Sequence, residues 1–319
     1  MKVTEAELSE RTFGCELEYE GIGQQKAANI VARVTGGTAT WRGTHLNNWE
    51  VRMEDNRVWQ VVSDGSLCGT SAEVVTPICR YADIEMIQEV VRALRKGGAK
   101  VNERTGLHVH VGAADFTPEN LKNLVRTFYK NEKLILKAAG TLPRRIARYT
   151  RETDRAFIDR ICNLRNPSMN DINVGWFGRL NLSPYHYDEH RYRALNLNNF
   201  WGANAKKTFE MRFWNGTTHA GELKSAILFG LLLAVRAKKA KASSARQRML
   251  DPNNDRYNFR CFLIRIGGNG DLFKTMRHHL LKRLTGTSAW RRERLDARLA
   301  EAAANAEAVN AETATEANG

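Results

Sequence analysis

The chain has 319 residues, 42% hydrophobic and 26% charged, which is ample for one sizeable core and excludes a wholly disordered protein. Its 49 Lys and Arg against 35 Asp and Glu leave a formal charge of +14, favouring an anionic partner (nucleotide, nucleic acid or acidic substrate). Five scattered cysteines (Cys15, Cys68, Cys79, Cys162, Cys261) without C-x-x-C spacing argue against a disulfide framework or thiolate zinc; a polar start and no long apolar run argue for a cytoplasmic protein with no membrane segment.

The first patterned stretch covers residues 11–20. Phe13, Cys15, Leu17 and Tyr19 alternate with Glu16, Glu18 and Glu20, the signature of a strand with one apolar and one carboxylate face. Side chains two apart on a strand are separated by ~6.6 Å. At an effective dielectric of 20, each such carboxylate pair repels by ~2.5 kcal/mol, so the face meets either water or a cation. Taken alone, E-x-E-x-E reads as a solvated edge strand, and for Glu20 solvent exposure is the better reading.

A helix follows over 24–34, stopped by Gly36-Gly37, then strands over 39–42, 49–53 and 58–62, with a turn at Asp55-Asn56. Residues 63–66 form a turn and 72–76 a strand closed by Pro77. Residues 83–96 have Ile84, Ile87, Val91 and Leu94 on one helical face, with Asp83 placed to cap. Residues 100–103 and 107–112 read as a hairpin around Thr105-Gly106. Thr117 caps and Pro118 opens a long helix to Ala139. Arg144, Arg145 and Arg148 lie in the connection to a helix over 154–163, and 177–182 and 194–198 are strand-like.

A clear strand covers 208–214 and a long helix 219–241. A basic helical segment begins near Ser243, the apolar piece 259–266 fits no single element, and a helix covers 272–284. Residues 1–285 read as one domain. Residues 286–319 are a basic and then Ala/Glu-rich tail, expected to be partly disordered because it has little to bury. Clustered strands separated by long helices indicate an α+β fold: an antiparallel, partly closed sheet backed by helices.

Four strands carry polar residues in alternation. Glu73 stands alone among apolar neighbours, His108 and His110 share a face opposite Leu107, Val109 and Val111, and Glu210 shares a face with Arg212. Separately, H-x-H is more often a satisfied pair than a ligand set, and E-x-R a surface ion pair of little weight. Turned inward together with Glu16 and Glu18, these residues line one cleft. Carboxylate oxygens with an imidazole suit Mg2+ or Mn2+ held jointly with phosphates, and an adjacent Arg suits phosphate oxygens.

The motifs F-G-x-E-x-E from Phe13, D-G-S-L from Asp64, E-V-V-T-P from Glu73, G-L-H-V-H-V from Gly106 and T-F-E-x-R-x-x-N-G-T from Thr208 occur in that order. This combination resembles the amidoligase family, within the glutamine synthetase and glutamate–cysteine ligase superfamily of carboxylate–amine ligases. The resemblance implies an ATP-dependent reaction with divalent cations, in which a carboxylate is activated as an acyl phosphate and an amine attacks to form an amide or peptide bond. It also implies that Glu16, Glu18, Glu73, His108 and Glu210 are metal ligands and that His110 lies near the nucleotide. Arg212 then contacts the transferred phosphate, while Asp64 and Ser66 meet substrate or amine. Arg145 is a further candidate for the nucleotide, and Arg148, Arg193 and Asn196 are weaker ones. The implied partners are a small-molecule or peptide carboxylate and an amine donor.

Two rival readings come from other classes. A metal-dependent hydrolase built on His108 and His110 needs no ATP and leaves the extra carboxylates surplus. A nucleic-acid-binding protein would use the basic residues near Lys206-Lys207, Lys238-Lys239 and Arg291-Arg292, although a diffuse basic excess is more often a matter of solubility. No Walker loop is present: Gly267-Gly268-Asn269-Gly270 lacks the following Lys-Ser/Thr and reads as a turn.

Overall fold

The computed structural model describes residues 1–43, 48–67, 69–185, 187–202 and 205–316; Cys68 lies outside them. A short helix α1 (Glu5–Ser9) precedes β1 (Phe13–Glu20) and α2 (Gln24–Thr35). Four strands follow: β2 (Thr38–Trp41), β3 (Trp49–Arg52), β4 (Val58–Val62) and β5 (Ser71–Val75). Next come α3 (Ile84–Lys96), β6 (Gly106–Gly112) and α4 (Pro118–Ala139), then α5 (Pro143–Arg148), α6 (Arg155–Cys162) and α7 (Met169–Phe177). The last strands are β7 (Leu195–Asn196) and β8 (Thr208–Asn215). The chain closes with α8 (Ala220–Lys239), α9 (Asp255–Arg265), α10 (Lys274–Leu281) and α11 (Arg292–Glu316).

The strands form a single sheet in the order β2-β3-β4-β5-β1-β6-β8-β7, with every neighbouring pair antiparallel. The class is α+β, as the sequence indicates, but the sheet is open rather than partly closed. Its edges are the four-residue β2 and the two-residue β7, which lie at opposite ends of the order and do not pair with each other.

One side of the sheet carries the core. Cys15, Leu17 and Tyr19 of β1, Val109 and Val111 of β6 and Phe209 and Met211 of β8 are buried in one continuous cluster with the helices. α2 packs over β3–β5, and α8 over β6. Contact at α8 is close: a Cβ on Gly230 would come within 2.5 Å of Met211 Cε and 2.9 Å of Val111 Cγ2. Among the described residues no helix is long and apolar enough to cross a membrane.

Several local expectations change. Residues 100–103 do not form a hairpin with β6; Lys100 bridges Glu20 instead, because both edges of β6 are already taken by β1 and β8. The stretch expected as a strand over 177–182 begins at the end of α7, which a capping box of Ser168 and Asp171 starts and Gly178 stops in the left-handed conformation. Residues 243–250 have no helix, whereas the unassigned apolar piece is most of α9. Separately from these changes, the described part of the Ala/Glu-rich tail carries α11, which fits the high helix propensity of Ala and Glu.

Candidate active site

Antiparallel pairing places the polar faces of β5, β1, β6 and β8 side by side. Glu18 stands opposite Glu73, Glu16 opposite His108, and His110 opposite Glu210. The register between β6 and β8 shifts at Leu107/Val109, so both Arg212 and Phe213 fall opposite His108. Alternation alone puts Arg212 on the face of Glu210, and the bulge changes the pairing beyond it, bringing Trp214 opposite Leu107.

Glu16, Glu18, Glu73, His108 and Arg212 line a cleft of about 480 Å³. Asp64 and Ser66, from the loop after β4, and Arg145 of α5 complete it. Glu210 is buried beneath Arg212, and His110 opens on a neighbouring cavity of about 460 Å³ that shares Glu16 with the cleft. Glu20 stays outside, at the end of β1, where it accepts a 2.6 Å hydrogen bond from Asn102 Nδ2. Arg193 also stays outside; its guanidinium stacks on Trp176 at 4.9 Å and reaches Asp154 at 3.7 Å. Asn196 acts indirectly, donating from Nδ2 to Glu210 Oε2 at 2.7 Å.

The lining residues not singled out from the sequence include Arg104, Tyr149, Tyr187, Arg191 and Tyr192. Their rings and guanidiniums interleave. Arg191 lies 5.7 Å from the centroids of both Tyr187 and Tyr192, and Arg212 lies 5.9 Å from that of Tyr192. The Arg191-Tyr192-Arg193 run after Tyr187 was the available signal, but loop register gave no means of aiming it.

The wall is tightly coupled electrically. His108 Nδ1 lies 2.9 Å from Glu16 Oε2 and 3.6 Å from Glu210 Oε1, while its Nε2 is 3.7 Å from Glu18 Oε1. Glu18 Oε2 accepts the backbone N–H of Gly106 at 2.6 Å. Glu210 Oε1 pairs with Arg212 Nη1. Burial pushes the Glu73 carboxyl up to about 9, with the charges of Glu16, Asp64 and Glu18 adding to it. Burial acts the same way on Glu210 but is outweighed by Arg212, His110 and His108, which hold it at about 2. Glu16 is likewise held well below the ordinary range, against burial, by His110 and His108. One carboxylate row thus contains acids pulled in opposite directions, a pattern typical of functional sites.

The donor chemistry fits a divalent cation. Ligand atoms of Glu16, His110 and Glu210 lie within 4.8 Å of one another. His110 Nε2 is buried and lacks a hydrogen bond, although Glu16 Oε1 is 3.1 Å away, because the contact is poorly aligned. Oxygen-rich donors with one imidazole match Mg2+ or Mn2+ better than zinc. Two guanidinium nitrogens, Arg145 Nε and Arg212 Nε, are also buried without partners. Arg145 is 2% exposed, and its guanidinium donates to the Arg212 carbonyl at 3.2 Å. A buried cation held without a close carboxylate is suited to receive an anion.

No curated protein matches the chain. A family profile described as “Putative amidoligase enzyme” matches residues 9–234, a span that holds β1 to β8, the strands of the described residues, and therefore the polar wall. The chain belongs to this amidoligase family, whose members are ligase-type enzymes.

Proposed function

We propose that the protein is an ATP-dependent carboxylate–amine ligase with a glutamine synthetase-like sheet, working in the cytoplasm. The observation that carries this is the convergence of Glu16, Glu18, Glu73 and Glu210 with Arg212 on one wall of the sheet. Glu16, Glu210 and His110 would hold Mg2+ or Mn2+, with Glu18, Glu73 and His108 completing the ring. A bound cation supplies neutralisation of phosphate charge.

The chain's own groups do the rest. Arg212 balances charge on the phosphoryl group as it passes from ATP to the substrate carboxylate, a transfer that depends mostly on positioning and charge. Arg145 holds an anionic group of substrate or nucleotide. Asp64 meets the incoming amine, receives its proton and is kept in place by the 2.6 Å bond from the Ser66 N–H. The amine displaces phosphate from the acyl phosphate, giving an amide, ADP and phosphate. The expected substrates are a small-molecule or peptide carboxylate and an amine donor. Neither rival gains support, since a hydrolase would leave Glu18, Glu73 and Arg212 without a task.

The test supplies ATP, Mg2+, hydroxylamine and a panel of carboxylic acids. Hydroxamate formation identifies the activated acid directly. Glu16→Gln and Glu210→Gln should each abolish it while the thermal melt stays cooperative; full activity in either variant refutes the proposal.

A further inference from the structure

A separate cavity of about 800 Å³ lies at the start of α8 and shares no lining residue with the cleft. Arg95 and Lys96 of α3, Lys224 of α8 and the imidazoles of His219 and His279 surround it, and no Asp or Glu among the described residues lines it. Exposed lysines and arginines alone would make only a basic surface. What distinguishes this place is the orientation of its two imidazoles.

His219 caps α8, its Nδ1 accepting the N–H groups of Gly221 at 3.1 Å and Glu222 at 3.4 Å. An accepting Nδ1 leaves the ring proton on Nε2. His279 Nδ1 lies 3.5 Å from Lys282 Nζ, a group that can only donate, so its proton also resides on Nε2. His279 is 8% exposed, and among the described residues its Nε2 has no hydrogen-bond partner. This ring fits closely against the first turn of α8: a Cβ on Gly221 would come within 2.6 Å of Nε2. Burial, together with Lys282 and His219, pushes the His279 imidazole down to about 4, so it is neutral at pH 7. The rings of His219 and His279 stand edge to face at 4.9 Å.

We propose that this cavity binds a small multivalent phosphate, through the Nε2–H groups of His219 and His279 and the charges of Arg95, Lys96 and Lys224. The positive end of the α8 dipole adds to the attraction. Arg92 also lines the cavity but is paired with Glu89; several donors and the three remaining charges, which make no ion pair among the described residues, suit an anion with many oxygens better than a single carboxylate. This inference does not depend on the ligase reading.

The test is isothermal titration of the intact protein with tripolyphosphate and, separately, with inorganic phosphate, both in EDTA so that divalent-dependent binding in the cleft is suppressed. Wild type should show saturable one-site binding of tripolyphosphate that survives physiological salt. The surface double variant Arg95→Gln/Lys224→Gln should weaken it at least tenfold, with an unchanged melt. Arg212→Lys, in the other cavity, should leave this binding intact. Inorganic phosphate that competes shows that the free anion suffices; tripolyphosphate binding without such competition assigns the site to longer phosphate chains. Equal affinity in the double variant, loss of wild-type binding in physiological salt, or a short RNA that binds without displacement by tripolyphosphate would overturn the proposal.

Discussion

Glu132 of α4 is fully buried. Its Oε1 accepts the Thr153 backbone N–H at 2.9 Å and the Thr153 hydroxyl at 2.8 Å, while Oε2 has no partner. Burial pushes this carboxyl from the ordinary 4.5 up to about 8; the Thr153 bonds and Arg193 oppose the shift and Glu152 adds to it. Folding therefore takes up a proton between those two values. The associated stability is complete below about pH 4.5 and falls by about 1.4 kcal/mol per unit as pH rises, until the folded carboxyl itself ionises near pH 8. By pH 7 the loss is about 3 kcal/mol on this slope. Glu132→Gln keeps an acceptor for Thr153 and cannot ionise. Urea unfolding of both proteins from pH 5 to pH 8 should show the variant gaining on wild type by about 3.5 kcal/mol across that window. Parallel curves would refute the reasoning and show that Glu132 is charged when folded. The outcome bears on the site because Arg151, near Thr153, bridges Arg193 on the strap that carries Tyr192 to the cleft.

Three further outcomes are expected. Gly230→Ala gains about 1 kcal/mol of helix propensity but drives a methyl into Met211 and Val111, where overpacking costs about 1–3 kcal/mol, so urea unfolding should show a net loss; a gain in stability would count against the packing described here. The Glu222 carboxyl is held at about 2, against burial, by Lys282, Thr217 and Arg283. Its contribution is present above about pH 4.5 and lost as pH falls toward 2, so Glu222→Gln should flatten acid unfolding by about 1–2 kcal/mol after allowance for solvent screening, and an unchanged acid limb would contradict it. Arg212→Lys should lower hydroxamate formation by roughly a hundredfold at saturating ATP, because an ammonium does not reproduce the planar fork; a wild-type rate would remove Arg212 from the chemistry.

The polar wall was legible because its signal is local. Alternation with period two fixes which side chains share a face, and in β1, β6 and β8 it separated Glu16, His108 and Glu210 from Leu17, Val109 and Met211 without knowledge of the partners. What alternation does not give is strand order, so the open edges at β2 and β7 escaped it. Residues 100–105 looked like half a hairpin because a turn sequence is visible locally, whereas the occupied flanks of β6 are not. α9 was obscured because its buried face begins with the polar Asp255 and Asn258, so the apolar i, i+3, i+4 spacing of Phe259, Phe262 and Leu263 lasts little more than one turn. In α7 the information was present in Ser168 and Asp171 but was outweighed by the aromatic content of the stretch. The aromatic and arginine side of the cleft comes from α5 and from loops, where side-chain direction follows from tertiary packing and has no sequence period to reveal it.

β1 is hydrogen-bonded along both edges, to β5 and to β6, and buries Leu17 and Tyr19 on the side opposite Glu16 and Glu18. Loss of one residue near Gly14 would rotate every later side chain of the strand through half a turn, sending the acids into the helix-covered core and Leu17 toward the cleft. Folding competence and chemical competence would fail together, so a one-residue change of length in this strand cannot separate the two properties.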